Sequence, residues 1–322
     1  MQLTKPLPIT STQQWLRKDR IHVPSTDHRW IRSHAQVPTP YAASPETLRI
    51  YFGARDANNR TSTVFVDVDA NNPAKVLRLH DEPVLPLGSL GCFDDAGVMP
   101  SCVVTVGNQL YLYYTGWNTS TTVPYRNSIG VAVSDDGGFT FRRPFEGPIL
   151  DRTAAEPHFC ATPFVMRDGG LWRMWYLSCT EWTMVDGKPE ARYLIRYAES
   201  NDRLEWRRPR TIAIDYLRPD EAIARPWVLK GPGGYEMWYC FRSNRGYRAD
   251  VKQSYRLGYA TSADGLAWTR QDDVPQLTGP SDGWDADMLA YPAVVEAAGR
   301  RYLFYNGNGF GRTGFGLAEL ST

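Results

Sequence analysis

Apolar positions along the chain come in short runs separated by polar turns, and the runs share one order. A carboxylate is followed by a proline, a short apolar strand, a polar turn and an aromatic-rich strand. Four segments read this way: "DAGVMPSCVVTVGNQLYLYYTG" from Asp95, "EPHFCATPFVMRDGGLWRMWYLS" from Glu156, "EAIARPWVLKGPGGYEMWYCFR" from Glu221 and "DMLAYPAVVEAAGRRYLFYNGN" from Asp287. The acid stands five residues before Pro100, Pro226 and Pro292; in the second segment Glu156 stands seven before Pro163, and His158 takes the five-before position. A degenerate copy, "SHAQVPTPYAASPETLRIYFGARD", opens the series with Pro38 or Pro40. Each copy leads to a strand ending in a Ser-Asp-Gly-type turn, as in "SIGVAVSDDGGFTFRRP" and "YRLGYATSADGLAWTRQ", except that the first has the weaker "STVFVDVDANNPAKVLRL" and the last is cut short at "TGFGLAEL". From Pro38 the prolines fall at intervals of 62, 63, 63 and 66 residues.

Regular units of four short strands predict an all-β fold, a five-bladed β-propeller of four-stranded antiparallel blades in a single domain over 1–322. The blades are expected at about 30–85, 90–150, 155–213, 218–274 and 284–322. The N-terminal segment at about 18–26 is expected to supply the missing outer strand of the last blade, which removes a free edge. A pair of β-sandwiches is the competing architecture, and five in-phase copies disfavour it. The turns at Ser134 to Phe141 and Ser262 to Trp268 are read as turns held by their own Asp and Gly, without a ligand.

Composition narrows the function. Apolar residues make up 42% of the chain, enough for a substantial core, and 11 Trp with 18 Tyr suit a surface that stacks on sugar rings. A net charge of +1 with interspersed signs argues against nucleic acid as a partner. No apolar run approaches the roughly 18 residues of a membrane span. The first twenty residues lack the apolar core of a signal peptide, so the expected location is cytoplasmic. Five cysteines without CxxC spacing read as free thiols, and neither they nor the five histidines suggest a metal site.

Residues at a fixed offset before each inner strand should arrive at the same height in every blade. Asp95, Glu156, Glu221 and Asp287 are therefore expected to converge on one shallow pocket. Such a group needs arginines, a cation or protonation to offset its repulsion. Arg32, Arg55, Arg60, Arg126, Arg192, Arg225 and Arg312 stand in or near the same loops. Carboxyl pairs with separated pKa values are what glycosidic cleavage requires, and Trp117, Trp182, Trp284, Tyr125 and Tyr291 could stack on a sugar. The competing reading has each acid capping a turn or pairing with an arginine; matched offsets in several blades favour a site. His158 joins the candidates through its offset, whereas Asp285, outside the phase, reads as a turn residue.

The stretches "SADGLAWTR", "WRMWYLS", "EPHFCATP" and "GWDADMLAYP" resemble the five-bladed propeller glycosidases, the group of glycoside hydrolase families 43, 32, 68, 62 and 130, and uncharacterised bacterial members in particular. The resemblance covers roughly residues 30 to 320. It implies an enzyme, a glycoside hydrolase similar to family 43, acting on a saccharide or sugar conjugate. By that resemblance Glu156 is the general acid, Asp95 orients substrate with Asp94 as its rival, and Asp287 or Asp56 is the base. Blade I departs from the pattern, showing Ser33, His34 and Ala35 where an Asp is usual. "GARDANNRTS" is similar to an Arg-and-Asp segment of family 130, many of whose members are phosphorylases; Arg55, Arg60 and His34 would then serve inorganic phosphate. Glycosyl transfer and non-catalytic sugar binding are the other readings. No cofactor is required, although an axial cation such as calcium is compatible with the resemblance.

Overall fold

The computed structural model describes residues 13–274, 277–279 and 281–321. Its strands fall into consecutive antiparallel groups. After β1 (Trp15–His22), the first group is β2 (Ser33–Ser44), β3 (Thr47–Arg55), β4 (Thr61–Asp69) and β5 (Asn72–His80). The second is β6 (Gly97–Val106), β7 (Gln109–Thr119) and β8 (Tyr125–Ser134), joined to the first through the single parallel pair Thr61 and Gly97. The third is β9 (Cys160–Asp168), β10 (Leu171–Val185), β11 (Lys188–Ser200) and β12 (Ile212–Ile214), and the fourth is β13 (Glu221–Gly231), β14 (Gly234–Ser243), β15 (Arg256–Ser262) and β16 (Thr269–Arg270). The fifth sheet runs β17 (Leu277–Thr278), β1, β20 (Phe315–Leu320), β19 (Arg300–Asn306) and β18 (Ala290–Ala297) in space. The N-terminal strand β1 thus pairs antiparallel with the last strand of the chain. In the second group the outermost strand is reduced to two isolated bridges, Val133 with Arg142 and Ile129 with Leu150.

The first strands of the five groups contact one another in a closed cycle: β2 with β6, β6 with β9, β9 with β13, β13 with β18, and β18 with β2. Every one except β6 carries a left-handed residue immediately before its proline: Val37, Thr162, Arg225 and Tyr291, with φ between 43° and 61°. The residue before a proline ordinarily prefers extended backbone, and Val and Thr are poor left-handed residues, so each bulge must be held by its surroundings. The freed amide supplies the hold. Val37 N donates to Asn306 Oδ1 (2.8 Å), Thr162 N to Thr115 Oγ1 (2.8 Å), Arg225 N to Thr162 Oγ1 (3.3 Å) and Tyr291 N to the Cys240 sulfur (3.4 Å). Each acceptor belongs to the preceding group, so every bulge ties two groups together.

A second set of ties runs through the Ser-Asp-Gly turns. Ser134, Ser200 and Ser262 accept the amides of Asp136, Asp202 and Asp264, whose carboxylates in turn accept amides further along each turn. These turns need no ligand, as expected, but they do more than reverse the chain. The carbonyls they present accept from a middle-strand aromatic of the preceding group: Tyr51 to Gly138 (2.8 Å), Tyr113 to Arg203 (3.1 Å) and Trp175 to Gly265 (2.9 Å). The rings themselves are buried, as amphipathic aromatics can be when their polar tips find partners.

Candidate functional site

The recurring acids have a structural explanation in four groups. Asp94, fully buried, accepts from Tyr114 OH (2.9 Å) and Arg143 Nε (2.8 Å). Glu156 accepts from Tyr176 OH (3.0 Å) and Ser178 Oγ (2.7 Å), with Arg208 at 3.5 Å. Glu221 takes a two-pronged contact from Arg270 (2.8 and 2.9 Å), and Arg270 also pairs with Asp272, the acceptor of Tyr239 OH. Asp285 accepts from Arg17 Nε (2.8 Å), Tyr305 OH (2.9 Å) and Ser281 Oγ. In the second, third and fifth groups a tyrosine of the second strand and an arginine distant in sequence both meet the acid, and in the fourth Arg270 bridges Glu221 to the Asp272 that Tyr239 meets. Burial, followed by the adjacent carboxylate, pushes the Tyr114, Tyr176 and Tyr305 phenols far above their usual range. Charge pairing with full hydrogen bonding is what makes such burial tolerable.

These latches correct several expectations. Glu156 and Glu221, expected to face a shared pocket, have their carboxylates turned onto their own sheets, as does Asp94. In the fifth group the buried acid is Asp285, read from sequence as a turn residue, while its neighbour Asp287 is exposed. Asp95 is half-buried and accepts the Gly91 amide (2.8 Å). Asp56 closes the β3–β4 turn by accepting from Asn58 N and Arg60 N and pairing with the Arg60 side chain at 2.8 Å, so Asp56 and Arg60 are committed to each other. Asp95 and Asp287 thus remain as carboxylates outside any ion pair among the described residues, both at the entry to a first strand.

At this same end of the cycle the chain gathers aromatics. Trp182, Tyr125 and Phe159 meet edge-on or tilted, with centroids 5.3 to 5.6 Å apart. Tyr255 continues the arc to Tyr291 (5.8 Å) and Phe310 (6.2 Å). The β10–β11 hairpin carries Trp182 because it extends several residues past Cys179, up to the turn at Asp186 and Gly187. Trp117 lies against Gly97, where any side chain would collide with its indole. His158 is half-buried beside Phe159.

A group of cations borders Tyr291. The pairing of Ser33 with Arg55 puts Arg55 next to His34, itself buried and left-handed at φ 63°. Arg55 Nε donates to Gln36 Oε1 (3.1 Å) and Nη1 to Asn59 Oδ1 (3.0 Å), both neutral acceptors. The turn Asn308–Gly311 brings up exposed Arg312, for a side chain on Gly311 would stand 2.8 Å from the Ala35 carbonyl. Burial, then Arg55 and Arg312, lower the His34 pKa to about 4, leaving a neutral imidazole at pH 7. Asp287 belongs to the same corner, since its amide donates to Asn308 Oδ1 (2.8 Å).

Sequence reasoning took Arg225 for a ligand contact; the structure corrects this. It is fully buried, donating to the carbonyls of Ser101 and Pro38 and to Thr39 Oγ1 (3.1 Å), so it pins the fourth group to the first two. Four arginines are buried among the described residues. Arg49 and Arg301 pair with acids, whereas Arg225 and Arg242 have none. Arg242 is enclosed instead by tyrosines, 3.6 Å over the Tyr247 ring and donating to Tyr193 OH (3.2 Å). Sequence gave no sign of this cage, because its members are scattered over residues 193–255 without a shared spacing. No cluster of three His, Cys, Asp or Glu suited to a metal occurs among the described residues. A buried guanidinium on the first-strand cycle also opposes a cation placed beside it. No helix is long and apolar enough to cross a membrane among the described residues.

No family model matches the chain. Among solved structures it resembles a glycoside hydrolase (TM-score 0.73, 17% identity, 95% of this chain and 91% of that one). It also resembles a thermostable family-43 glycoside hydrolase (0.66, 16%, 93% and 91%). A third match comes from work on the GH130 family of mannoside phosphorylases, containing glycoside hydrolases that target beta-1,2 mannosidic linkages in Candida mannan (0.69, 14%, 98% and 96%). At such identities the likeness is one of fold. In sequence the chain is 40% identical over 307 residues to the uncharacterized proteins Rv1502 and MT1551 of two Mycobacterium tuberculosis strains, covering 95% of this chain and 99% of each relative. The chain therefore belongs to the family of Rv1502, built on the β-propeller fold of the glycoside hydrolases.

Proposed function

We propose that this protein is a carbohydrate-active enzyme that acts on a glycosidic bond at one mouth of a five-bladed propeller, whose blades are the five strand groups. The observation that carries the reading is the group at the first-strand entries: the partly exposed aromatics Trp182, Tyr125 and Tyr291, of which Tyr291 borders the cationic corner, and two carboxylates outside any ion pair among the described residues, Asp95 and Asp287. Aromatic faces bind the apolar side of a sugar ring. Glycosidic cleavage needs one carboxyl group to protonate the leaving oxygen and another to activate water or attack. The proposed pair is Asp287 and Asp95, in place of Glu156, whose carboxylate is engaged by Tyr176, Ser178 and Arg208. The test is a screen of aryl glycosides and oligosaccharides with wild type, Asp287→Asn and Glu156→Gln. Turnover lost in Asp287→Asn and kept in Glu156→Gln supports the assignment; the reverse pattern overturns it. Arg55, which forms no ion pair among the described residues, favours phosphorolysis as the second reading, and turnover that requires inorganic phosphate would select it.

A further inference from the structure

We propose that the corner formed by His34, Arg55 and Arg312 receives an oxyanion carried by the saccharide itself, a carboxylate or a phosphate ester, so that the substrate class is an acidic glycan. This inference rests on the carbohydrate reading above and adds the charge of the substrate to it. Arg17, Arg49, Arg143, Arg208, Arg270 and Arg301 all lie against a carboxylate with little side-chain exposure.

Arg225 and Arg242 also lack a carboxylate, but they are buried and held by carbonyls, hydroxyls and tyrosine rings. Arg55 differs from both sets: it is half-buried at an open strand end, and its two side-chain partners are the amide oxygens of Gln36 and Asn59. Neutral acceptors orient a guanidinium without neutralising it. Of the nearby carboxylates, Asp56 is already committed to Arg60, and exposed Asp287 forms no ion pair with either arginine among the described residues. Arg312 adds a second positive charge from the Asn308–Gly311 turn, which packs on β2, and Arg312 forms no ion pair among the described residues. Neighbouring like charges repel, and an anion between them removes that repulsion. The planar guanidinium fork suits the two-oxygen geometry of carboxylate and phosphate. His34, neutral in this setting, offers a further hydrogen-bonding nitrogen beside Ser33 Oγ (3.0 Å). Tyr291, which borders Arg55, links this corner to the aromatic arc, so a ring stacked there would direct a substituent at the cations.

The experiment is calorimetric titration of the full chain with glucose, glucuronic acid, glucose 6-phosphate and inorganic phosphate. Arg55→Gln, Arg312→Gln and, as a control, Arg300→Gln, at the far end of β18 from its entry, are titrated in parallel. Expected is at least tenfold tighter binding of either acidic sugar than of glucose, a preference that shrinks at high salt. Arg55→Gln and Arg312→Gln should each reduce the acidic-to-neutral ratio by about tenfold or more, and Arg300→Gln should leave it unchanged. Arg312 is exposed, so its variant folds even if Arg55→Gln does not. Equal affinity for acidic and neutral sugars overturns the proposal, as does inorganic phosphate binding more tightly than both acidic sugars. The two readings fail separately. Acidic sugars bound without turnover of any glycoside would sink the enzymatic reading and leave this one standing, and turnover confined to neutral glycosides would do the opposite.

Discussion

Replacing Asp285 by alanine tests the structural account most directly. This residue joins two ends of the chain: Arg17 lies on β1, Tyr305 on β19, and both donate to the same carboxylate oxygen. The Asp285 side chain has no solvent exposure and that of Arg17 has 17%. Alanine leaves Arg17 largely buried without its counter-charge and strands the Tyr305 hydroxyl. Removing one partner of a buried ion pair costs about 3–5 kcal/mol. Tyr305→Phe, which removes one hydrogen bond and no charge, should cost about 1 kcal/mol. With an unfolding entropy near 2.1 cal/mol/K per residue, a chain of this length loses roughly 1.5 °C per kcal/mol, so Asp285→Ala should melt about 4–7 °C below wild type. Hydrogen exchange should show the loss concentrated in Trp15–His22, the strand that Arg17 anchors. The carboxyl's pKa adds a second signature. Burial pushes it up, but hydrogen bonds from Ser281, Arg17 and Tyr305 outweigh burial and hold it below the ordinary Asp value. The folded-state pKa being the lower one, the ionised carboxylate stabilises the fold fully above about pH 4 and progressively less as pH falls through the folded value. The gap between wild type and Asp285→Ala should therefore narrow in acid. A variant within about 0.5 kcal/mol of wild type, the range of ordinary surface substitutions, would refute the latch.

Glu156→Gln should lower stability by about 1–3 kcal/mol in denaturant titration, since the Arg208 pairing weakens while the hydrogen bonds from Tyr176 and Ser178 survive in part. Trp175→Phe removes the indole donor to Gly265 and should cost about 1–3 kcal/mol, read by the same titration. Gly265→Ala should also destabilise, by about 1–2 kcal/mol, because φ is +77° and the added carbon would stand 2.9 Å from an Arg173 nitrogen. Asp287→Asn should leave the melting temperature within about 1 °C, as expected of an exposed site, while lowering turnover by at least about a hundredfold.

The rhythm of the strands was legible because it is written in residue types that act locally. Proline marks where each first strand bends, alternating aromatics mark the middle strands, and Ser-Asp-Gly marks the turns. The recurrence of acids was equally legible, but their purpose was not. Pro100 and Pro292 are each preceded by two acids, Asp94 with Asp95 and Asp285 with Asp287. A fixed count back from proline selects Asp95 and Asp287, whereas the buried acids are Asp94 and Asp285, six and seven residues before. Loop length varies between blades, and the side chain that folds inward is decided by the tyrosine and arginine waiting for it. Those arginines (Arg143, Arg208, Arg270, Arg17) sit far along the chain, so spacing cannot reveal the pairing. The Arg242 cage escaped for the same reason: its partners are neighbours through sheet packing alone.

Separating ring from mouth explains how one backbone plan accommodates different chemistry. The bulge amides, the turn carbonyls and the carboxylate latches hold the blades together, and all use groups with partners inside or between adjacent blades. None of them needs Asp287, Arg312, Trp182 or Tyr125 at the rim. Substitutions at the rim therefore expose the ring to little loss, and charge can be set there without upsetting the core. The first strand group shows the consequence. It has Phe52 in the register where the other groups place Tyr114, Tyr176, Tyr239 and Tyr305, and it carries no latch acid before β2 among the described residues. Phe52 packs instead on the His22 ring at 4.8 Å, and burial lowers that imidazole's pKa to about 4, so an apolar contact closes the seam where an ion pair closes the others. Freed from supplying a carboxylate, the entry to β2 presents His34 and Arg55, which makes the blade without an acid the cationic side of the mouth.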